Sequence, residues 1–173
     1  MKSQKRTKSS KHRKDFLVVF YSRSGMTRRL AREIADTLAC DIEEIIDLKN
    51  RKGPLGYLTA GRDASMKAPT KIKETVRTPG EYDVVIIGTP VWALTVTPAI
   101  RTFIRKHRNQ LKKVAFFCTS DGMGSKSTFA EMERISGKNP LATLHVSSSE
   151  VKKCSYGHNV RLFAAKIRSE CKK

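Results

Sequence analysis

The fold of this chain is decided by the stretch Phe16-Leu-Val-Val-Phe-Tyr-Ser-Arg-Ser-Gly-Met-Thr27, an apolar run that ends in a hydroxyl-rich turn. The run from Phe16 to Tyr21 is short, β-branched and aromatic, which is typical of a strand covered on both faces. After Thr27, apolar residues recur at helical spacing as far as Leu38 and form one stripe. The stretch therefore predicts a buried strand, a tight turn and an amphipathic helix.

The turn itself carries Ser22, Ser24, Gly25 and Thr27. A helix N-terminus presents unpaired N–H groups and the positive end of the helix dipole, so hydroxyls and a glycine there suit a phosphate group. The same residue types also suit an ordinary N-cap. The turn thus indicates either a capped helix start or a phosphate site. Neither G-x-x-x-x-G-K-[ST] nor G-x-G-x-x-G occurs, which excludes the nucleoside triphosphatase and dinucleotide-binding signatures.

The charge of the chain is strongly positive, with 35 basic and 16 acidic residues and a formal net charge of +19. Residues 1–14 contain seven of the basic residues and no acid, so we expect them to form a disordered basic arm before a domain at residues 15–173. The remaining sequence is still basic. Such a surface attracts nucleic acid, anionic lipid or an acidic protein partner, and it also serves solubility.

The cysteines are scattered at Cys40, Cys118, Cys154 and Cys171, without a C-x-x-C pair. This pattern favours reduced thiols in a cytoplasmic protein over a disulfide framework or a zinc site. The four histidines show no ligand spacing, so no metal site is predicted. No apolar run is long enough to span a membrane.

Strand and helix patterns alternate through the rest of the chain. Further strands are predicted at residues 42–46 (an edge strand), 82–88, 113–118 and 142–147. Further helices are predicted at residues 98–104, 127–135 and 159–169. Five strands alternating with helices predict an α/β, three-layer sandwich around a doubly wound parallel sheet. Residues 48–81 interrupt the rhythm with a predicted short helix, in which Tyr57, Leu58 and Met66 form either a lid or a satellite core patch.

Two further loops leave the carboxyl ends of predicted strands, where ligands of open α/β sheets bind. Residues 89–96 contain Trp92, the only tryptophan of the chain, which in a loop predicts a stacking surface for a flat aromatic ligand. Residues 119–125 are small and polar and contain two glycines. Their backbone N–H groups can reach ring heteroatoms, although the segment is also typical of a plain strand-to-helix turn.

The chain resembles the flavodoxin-like family over residues 15–169. The motifs that carry the resemblance are Tyr21-Ser-Arg-Ser-Gly-Met-Thr27, Gly88-Thr-Pro-Val-Trp-Ala93 and Cys118-Thr-Ser-Asp-Gly122. The resemblance implies a five-stranded parallel sheet of order 2-1-3-4-5 and FMN as the cofactor. It implies a phosphate site at Ser22, Arg23, Ser24, Gly25, Met26 and Thr27. It implies a ring site between Thr89, Pro90, Val91, Trp92 and Ala93 on one side and Thr119, Ser120, Asp121 and Gly122 on the other.

The chain departs from the family pattern at several positions. Met26 stands where flavodoxins commonly have asparagine, and Asp121-Gly-Met123 replaces the usual stacking tyrosine. Most flavodoxins are acidic, so the redox partner of this basic chain is expected to be acidic if it is a protein. Residues 89–97 contain no glycine, whereas flavodoxins that stabilise one-electron-reduced flavin use a glycine there. We therefore expect two-electron behaviour, as in a quinone or NAD(P)H-linked reductase.

The sequence predicts a flavodoxin-like electron-transfer flavoprotein, and it leaves the electron donor, the acceptor and the oligomeric state open. The alternative is a flavodoxin-fold protein that binds nucleic acid or an acidic partner through its basic surface, with weak or absent flavin. No acid–base pair is visible in the sequence. A phosphatase loop is excluded because Gly124 occupies the position where its arginine would follow Cys118.

Overall fold

Five parallel strands form the centre of the molecule, which is a computed structural model that describes residues 14–49, 66 and 69–171. The strands are β1 (Lys14–Phe20), β2 (Asp41–Glu44), β3 (Tyr82–Trp92), β4 (Thr95–Val96), β5 (Lys113–Ser120) and β6 (Pro140–Ser147). The helices are α1 (Met26–Leu38), α2 (Pro98–His107), α3 (Ser125–Ser136), α4 (Ser148–Lys153) and α5 (Gly157–Cys171). Short 3-10 turns lie at Pro79–Glu81 and Arg108–Gln110.

The sheet has the order β2-β1-β3-β5-β6, and every neighbouring pair in it is parallel. Counted over the parallel strands this is 2-1-3-4-5, which confirms the predicted fold. The strand order reverses between β1 and β3, because the chain moves from β1 to β2 on one side and then returns to β3 on the other. A ligand crevice is expected at the carboxyl ends of these two strands.

Two apolar clusters cover the two faces of the sheet. Alternate residues of β1 serve each cluster, since successive side chains of a strand point to opposite faces. Val18 and Phe20 pack with α1 and α5, whereas Leu17 and Val19 pack with α2 and α3. All four are buried. This double burial explains the continuous apolar run that the sequence shows at this strand.

Several boundaries differ from the predicted ones. β1 begins at Lys14, and the rest of the predicted arm lies outside the described residues. β3 was predicted to end at residue 88 but continues to Trp92, turns at residues 93–94 and pairs antiparallel with β4. We call residues 91–96 the hairpin. α3 starts at Ser125 rather than at residue 127, and α4 was not predicted at all.

The segment between β2 and β3 is described only in part. Asp47 forms an isolated antiparallel bridge with Ile72, and Thr70 donates a hydrogen bond of 2.7 Å from Oγ1 to Asp47 Oδ1. Met66 is exposed, and Tyr57 and Leu58 lie outside the described residues, as does most of the predicted short helix. The choice between a lid and a satellite patch therefore stays a prediction.

Candidate functional site

The first loop (residues 22–25) connects β1 to α1 at the carboxyl edge of the sheet. Ser22 is buried, and its Oγ accepts a hydrogen bond of 3.1 Å from the backbone N–H of Gly25. Gly25 has φ +90, a left-handed conformation that L side chains rarely adopt. Within the described residues, a Cβ at Gly25 would meet no atom within 4 Å. The glycine is therefore required by the backbone conformation and not by crowding.

The N-terminus of α1 opens toward this loop without a cap. Gly25 is the N-cap residue and, because it has no side chain, it accepts no hydrogen bond from the N–H groups of the first turn. The first turn, which begins with Met26 and Thr27, contains no acidic residue. Its backbone N–H groups and the positive end of the helix dipole are thus available to an anion. The N-cap residue is thus a glycine and not one of the hydroxyl residues, while the phosphate site stays a prediction.

Trp92 lies at the last position of β3 rather than at the tip of a loop, which corrects the sequence interpretation. Its indole stands edge-on to the ring of Tyr21, with 5.5 Å between the ring centroids and an interplanar angle of 90°. The guanidinium of Arg23 lies 5.9 Å from the centroid of the Trp92 ring. The tryptophan is half-buried. Tyr21 directly precedes the first loop and Arg23 lies within it, so the indole lies beside that loop.

The turn of the hairpin has an unusual backbone. Ala93 and Leu94 have φ values of +46 and +62, and Trp92 and Thr95 pair across them. Two left-handed residues in a two-residue turn correspond to type I′, which normally uses Asn-Gly or Asp-Gly. Left-handed backbone costs a non-glycine residue about 1–2 kcal/mol. The surrounding structure must hold this turn, because its own residues disfavour it.

Two contacts from the start of α3 hold the turn from outside. Ser127 Oγ donates a hydrogen bond of 2.5 Å to the carbonyl oxygen of Leu94. Gly124 packs so tightly that a Cβ there would lie 2.8 Å from Val91 Cγ1 and 2.9 Å from Leu94 Cα. At the base of the hairpin, the fully buried Thr89 accepts a hydrogen bond of 3.2 Å from the backbone N–H of Thr97.

The third loop (residues 121–124) follows β5, which pairs with β3 on the side opposite to β1. Thr119 Oγ1 is 2.8 Å from Thr27 Oγ1, and this buried pair connects β5 to the first turn of α1. Ser120 Oγ is 2.8 Å from His145 Nε2 on β6, and it also accepts a hydrogen bond of 3.4 Å from the N–H of Gly122. These contacts fix the start of the third loop. Sequence reasoning missed His145, although it stands near the carboxyl end of a predicted strand.

The structure brings together the three segments that the sequence selected. Tyr21 and Trp92 join the first loop to the hairpin, Thr27 and Thr119 join it to β5, and Leu94 joins the hairpin to α3. The individual side chains divide into two groups. The exposed members face solvent and are Arg23, Ser24, Ala93, Asp121 and Gly122. The buried or half-buried members are Ser22, Gly25, Met26, Thr27, Thr89, Pro90, Val91, Trp92, Thr119 and Ser120.

A buried ion pair that the sequence analysis missed contacts the hairpin. Arg101 of α2 is fully buried, and its Nη1 donates a hydrogen bond to Oε1 of Glu131 of α3, which is 8% exposed. Arg134 also donates two hydrogen bonds of 2.8 Å to the Glu131 carboxylate. The hydrogen bonds from Arg134, with those from Arg101, hold the pKa of Glu131 down to about 2 although burial opposes the charge.

A family model described as flavodoxin matches residues 15–154. The chain belongs to the flavodoxin family. No curated protein sequence matches it.

Solved structures with the same fold come from several bacteria. A flavoprotein from Lactobacillus acidophilus, crystallised in complex with FMN, is 24% identical with a TM-score of 0.66, over 82% of this chain and 99% of that one. A protein from Bacteroides eggerthii described as a flavoprotein is 22% identical with a TM-score of 0.67, over 87% and 98%. Oxidised flavodoxin 1 from Bacillus cereus is 18% identical with a TM-score of 0.51, over 90% and 97%. At these identities the likeness shows a shared fold.

The described part of the chain offers no support for metal chemistry or for a nucleophilic cysteine. Residues 14–49, 66 and 69–171 contain no group of three histidine, cysteine or acidic side chains that could hold a metal ion. Within the same ranges, none of the helices combines the length and the apolar character needed to cross a membrane. Cys118 is buried, and burial raises the pKa of its thiol to about 12, which makes it a poor nucleophile. This agrees with the exclusion of phosphatase chemistry.

Proposed function

We propose that this chain binds FMN non-covalently at the carboxyl edge of its sheet and carries electrons. The observation that carries the proposal is that the segment leading into the uncapped N-terminus of α1 contacts the only tryptophan of the chain, through Tyr21 and Arg23. FMN has a phosphate at one end and a flat ring at the other, and the site offers a partner for each. Family membership and the FMN complex of the Lactobacillus acidophilus flavoprotein support the same cofactor.

The phosphate end is assigned to the first loop and the first turn of α1. Backbone N–H groups of this turn have no capping side chain among the described residues, and Gly25 leaves open space in front of them. Ser24 is exposed at the loop and can add a hydroxyl donor. No carboxylate of the loop or the first turn competes with an anion. Because backbone N–H groups supply the donors, the replacement of asparagine by Met26 does not remove the site.

The ring end is assigned to Trp92 and its neighbours in the hairpin on one side, and to the third loop on the other. An indole offers a flat apolar face with little conformational entropy to lose. Gly122 and Asp121 are exposed at the third loop and can present backbone groups to ring heteroatoms. FMN supplies the electron-transfer chemistry when it is bound, while the protein orients the ring and shields it from water.

A titration with FMN tests the proposal. We expect the flavin fluorescence and the Trp92 fluorescence to be quenched together, with one FMN per chain. Riboflavin lacks the phosphate and serves as the matched control ligand, so it should bind more weakly by at least tenfold. Absence of quenching with FMN would overturn the proposal. Equal binding of riboflavin would overturn the assignment of the phosphate end.

We also propose that electrons are taken up in pairs, as in a quinone or NAD(P)H-linked reductase. A carbonyl that turns toward the reduced ring requires a flexible peptide, which a glycine normally provides. Here the turn residues are Ala93 and Leu94, and the Leu94 carbonyl already accepts a hydrogen bond from Ser127. During photoreduction, the absorbance spectrum should pass from oxidised to fully reduced flavin through one set of isosbestic points. Accumulation of a third spectral species would contradict this.

The basic charge supports an acidic redox partner. A net charge of +19 attracts negatively charged proteins, and this attraction weakens as salt is added. Nucleic acid binding is the competing interpretation, and a colourless protein that binds nucleic acid in a salt-sensitive manner would favour it. A cytoplasmic location follows from the cysteine pattern and stays a prediction.

A further inference from the structure

The hairpin that carries Trp92 is supported from below by a buried charge. The Arg101 guanidinium donates from Nη2 to Thr95 Oγ1 at 3.3 Å and to the Val96 carbonyl at 3.4 Å, while Nη1 contacts Glu131. One fully buried side chain thus links both residues of β4 to α3. Its Nε is buried without a hydrogen-bond partner among the described residues. The surroundings therefore do not satisfy all the hydrogen-bond donors of this arginine.

A buried ion pair is by itself weak evidence of a stabilising role. Two charges removed from water seldom add net stability, and apolar residues of similar volume often replace such pairs without loss. Arg134 is exposed and can hydrogen-bond to water, so it does not require Glu131 either. The feature that only Arg101 provides is its pair of hydrogen bonds to the hairpin. The arginine therefore supports the hairpin.

The hairpin is unable to hold its own shape. Only two residue pairs join β3 to β4, Val91 with Val96 and Trp92 with Thr95. Its turn uses two non-glycine residues in the left-handed region. Support must therefore come from outside, and it comes from Arg101 on one strand and from Ser127 and Gly124 on the turn.

We propose that Arg101 and Glu131 form a positioning pair that sets the place of the Trp92 indole and thereby the affinity for the flavin ring. The effect on flavin affinity rests on the proposed FMN site. The effect on the position of the indole concerns the ligand-free protein and does not rest on that site. Neither residue is among those assigned to contact the cofactor. Their effect is transmitted through Thr95 and Val96, which pair with Trp92 and Val91.

The double variant Arg101→Met/Glu131→Met separates positioning from stability. It removes both charges, leaves no unpaired buried ion, and is expected to unfold at a urea concentration similar to that of the wild type. Without its support, the hairpin should move, so acrylamide quenching of Trp92 fluorescence in the ligand-free protein should rise about twofold. Affinity for FMN and for riboflavin should both fall about tenfold, since a network of hydrogen bonds to the ring-side hairpin has been lost.

Leu111→Ala is the matched control, because Leu111 is buried just before β5 at the opposite edge of the sheet. It destabilises the core and should leave Trp92 quenching and FMN affinity within twofold of wild type. If the double variant does not fold, Thr95→Val and Ser127→Ala each remove one contact of the hairpin, and the same two readouts apply to them.

The outcomes separate the two proposals. If the wild type does not bind FMN, the proposed function is wrong, while Trp92 quenching in the ligand-free proteins still tests the positioning pair. If the wild type binds FMN and a folded Arg101→Met/Glu131→Met variant shows unchanged Trp92 quenching and unchanged affinity, the positioning role is wrong. A parallel loss for Leu111→Ala would also overturn it, because the effect would then be one of general stability.

Discussion

The first loop and the hairpin are the two ends of the proposed site, and their turns are held in shape by different contacts. Within the first loop, Ser22 and Gly25 lie three positions apart and hydrogen-bond to each other. The hairpin is held by Arg101, Ser127 and Gly124, and the last two lie about thirty positions further along the chain. The turn of the first loop is therefore shaped by a hydrogen bond between its own residues, whereas the turn of the hairpin is held by residues of a later element.

The two ends also treat left-handed backbone differently. The first loop places glycine at its left-handed position, in open space. The hairpin places alanine and leucine there and relies on neighbours to hold them. Substitutions far from the ligand should consequently affect the ring end and leave the phosphate end intact. Each of the following experiments probes this contrast.

The largest expected effect comes from Glu131→Gln. The change leaves the Arg101 charge buried without its carboxylate, which costs about 3–5 kcal/mol of unfolding free energy. Urea unfolding followed by circular dichroism measures the loss. Glu74→Gln is the control, because the Glu74–Lys106 pair is exposed and its loss should leave the unfolding free energy close to that of the wild type. Equal effects of the two substitutions would show that burial of the pair is unimportant.

Alanine at Gly124 and at Gly25 compares the two ends directly. Both glycines are left-handed, but only at Gly124 does a Cβ collide with the hairpin, at Val91 and Leu94. We expect about 3 kcal/mol of destabilisation for Gly124→Ala and about 1–2 kcal/mol for Gly25→Ala, where backbone strain acts alone. Thermal unfolding of the two variants side by side measures the difference. A larger loss of stability for Gly25→Ala would contradict the conclusion that the hairpin, and not the first loop, depends on contacts with its neighbours.

Acid should weaken the support of the hairpin, because Glu131 loses its charge as the pH falls. The pKa of Glu131 is about 2 in the folded protein and about 4.5 when unfolded, since Arg134 and Arg101 stabilise its charged form. Because the folded value is the lower one, this stabilisation is complete above pH 4.5 and is lost as pH falls toward 2. It amounts to about 3 kcal/mol. Unfolding free energies measured across this range should show the slope in the wild type and lack it in Glu131→Gln.

Ala93→Gly is expected to have the smallest effect and the opposite sign. Glycine adopts the left-handed conformation without penalty, so the variant should gain about 0.5–1 kcal/mol of stability. Ala93 is exposed, so removal of its methyl group should leave no cavity. Chemical unfolding checks the gain. A loss of stability would mean that the alanine side chain contributes contacts that outweigh the strain.

The parts of the molecule that were predictable from sequence are those with local signals. The apolar run of β1, the helical stripe of α1 and the small residues of the first loop all lie within one stretch of chain. The hairpin was missed because Ala93-Leu94 lacks the Asn-Gly or Asp-Gly signature of its turn. Arg101 was missed because an arginine in a basic helix reads as solvent-exposed, and only tertiary packing shows that it is buried.

One signal was present in the sequence and went unused. Ser147 and Glu150 form a capping box at the start of α4, with the Ser147 Oγ accepting from the Glu150 N–H at 3.2 Å. A serine followed three residues later by glutamate predicts such a helix start. The Ser120–His145 contact, by contrast, joins two strands and has no local signature.

The bidentate contact between Arg28 and Glu44 has a consequence for kinetics. Two hydrogen bonds of 2.9 and 2.6 Å fasten the first turn of α1 to β2, and they raise the pKa of the guanidinium. The turn that offers its N–H groups is thereby ordered before any anion arrives. Capture of a phosphate at this end should then proceed in one step at a rate set by diffusion, linear in ligand concentration, with no slow phase of loop closure.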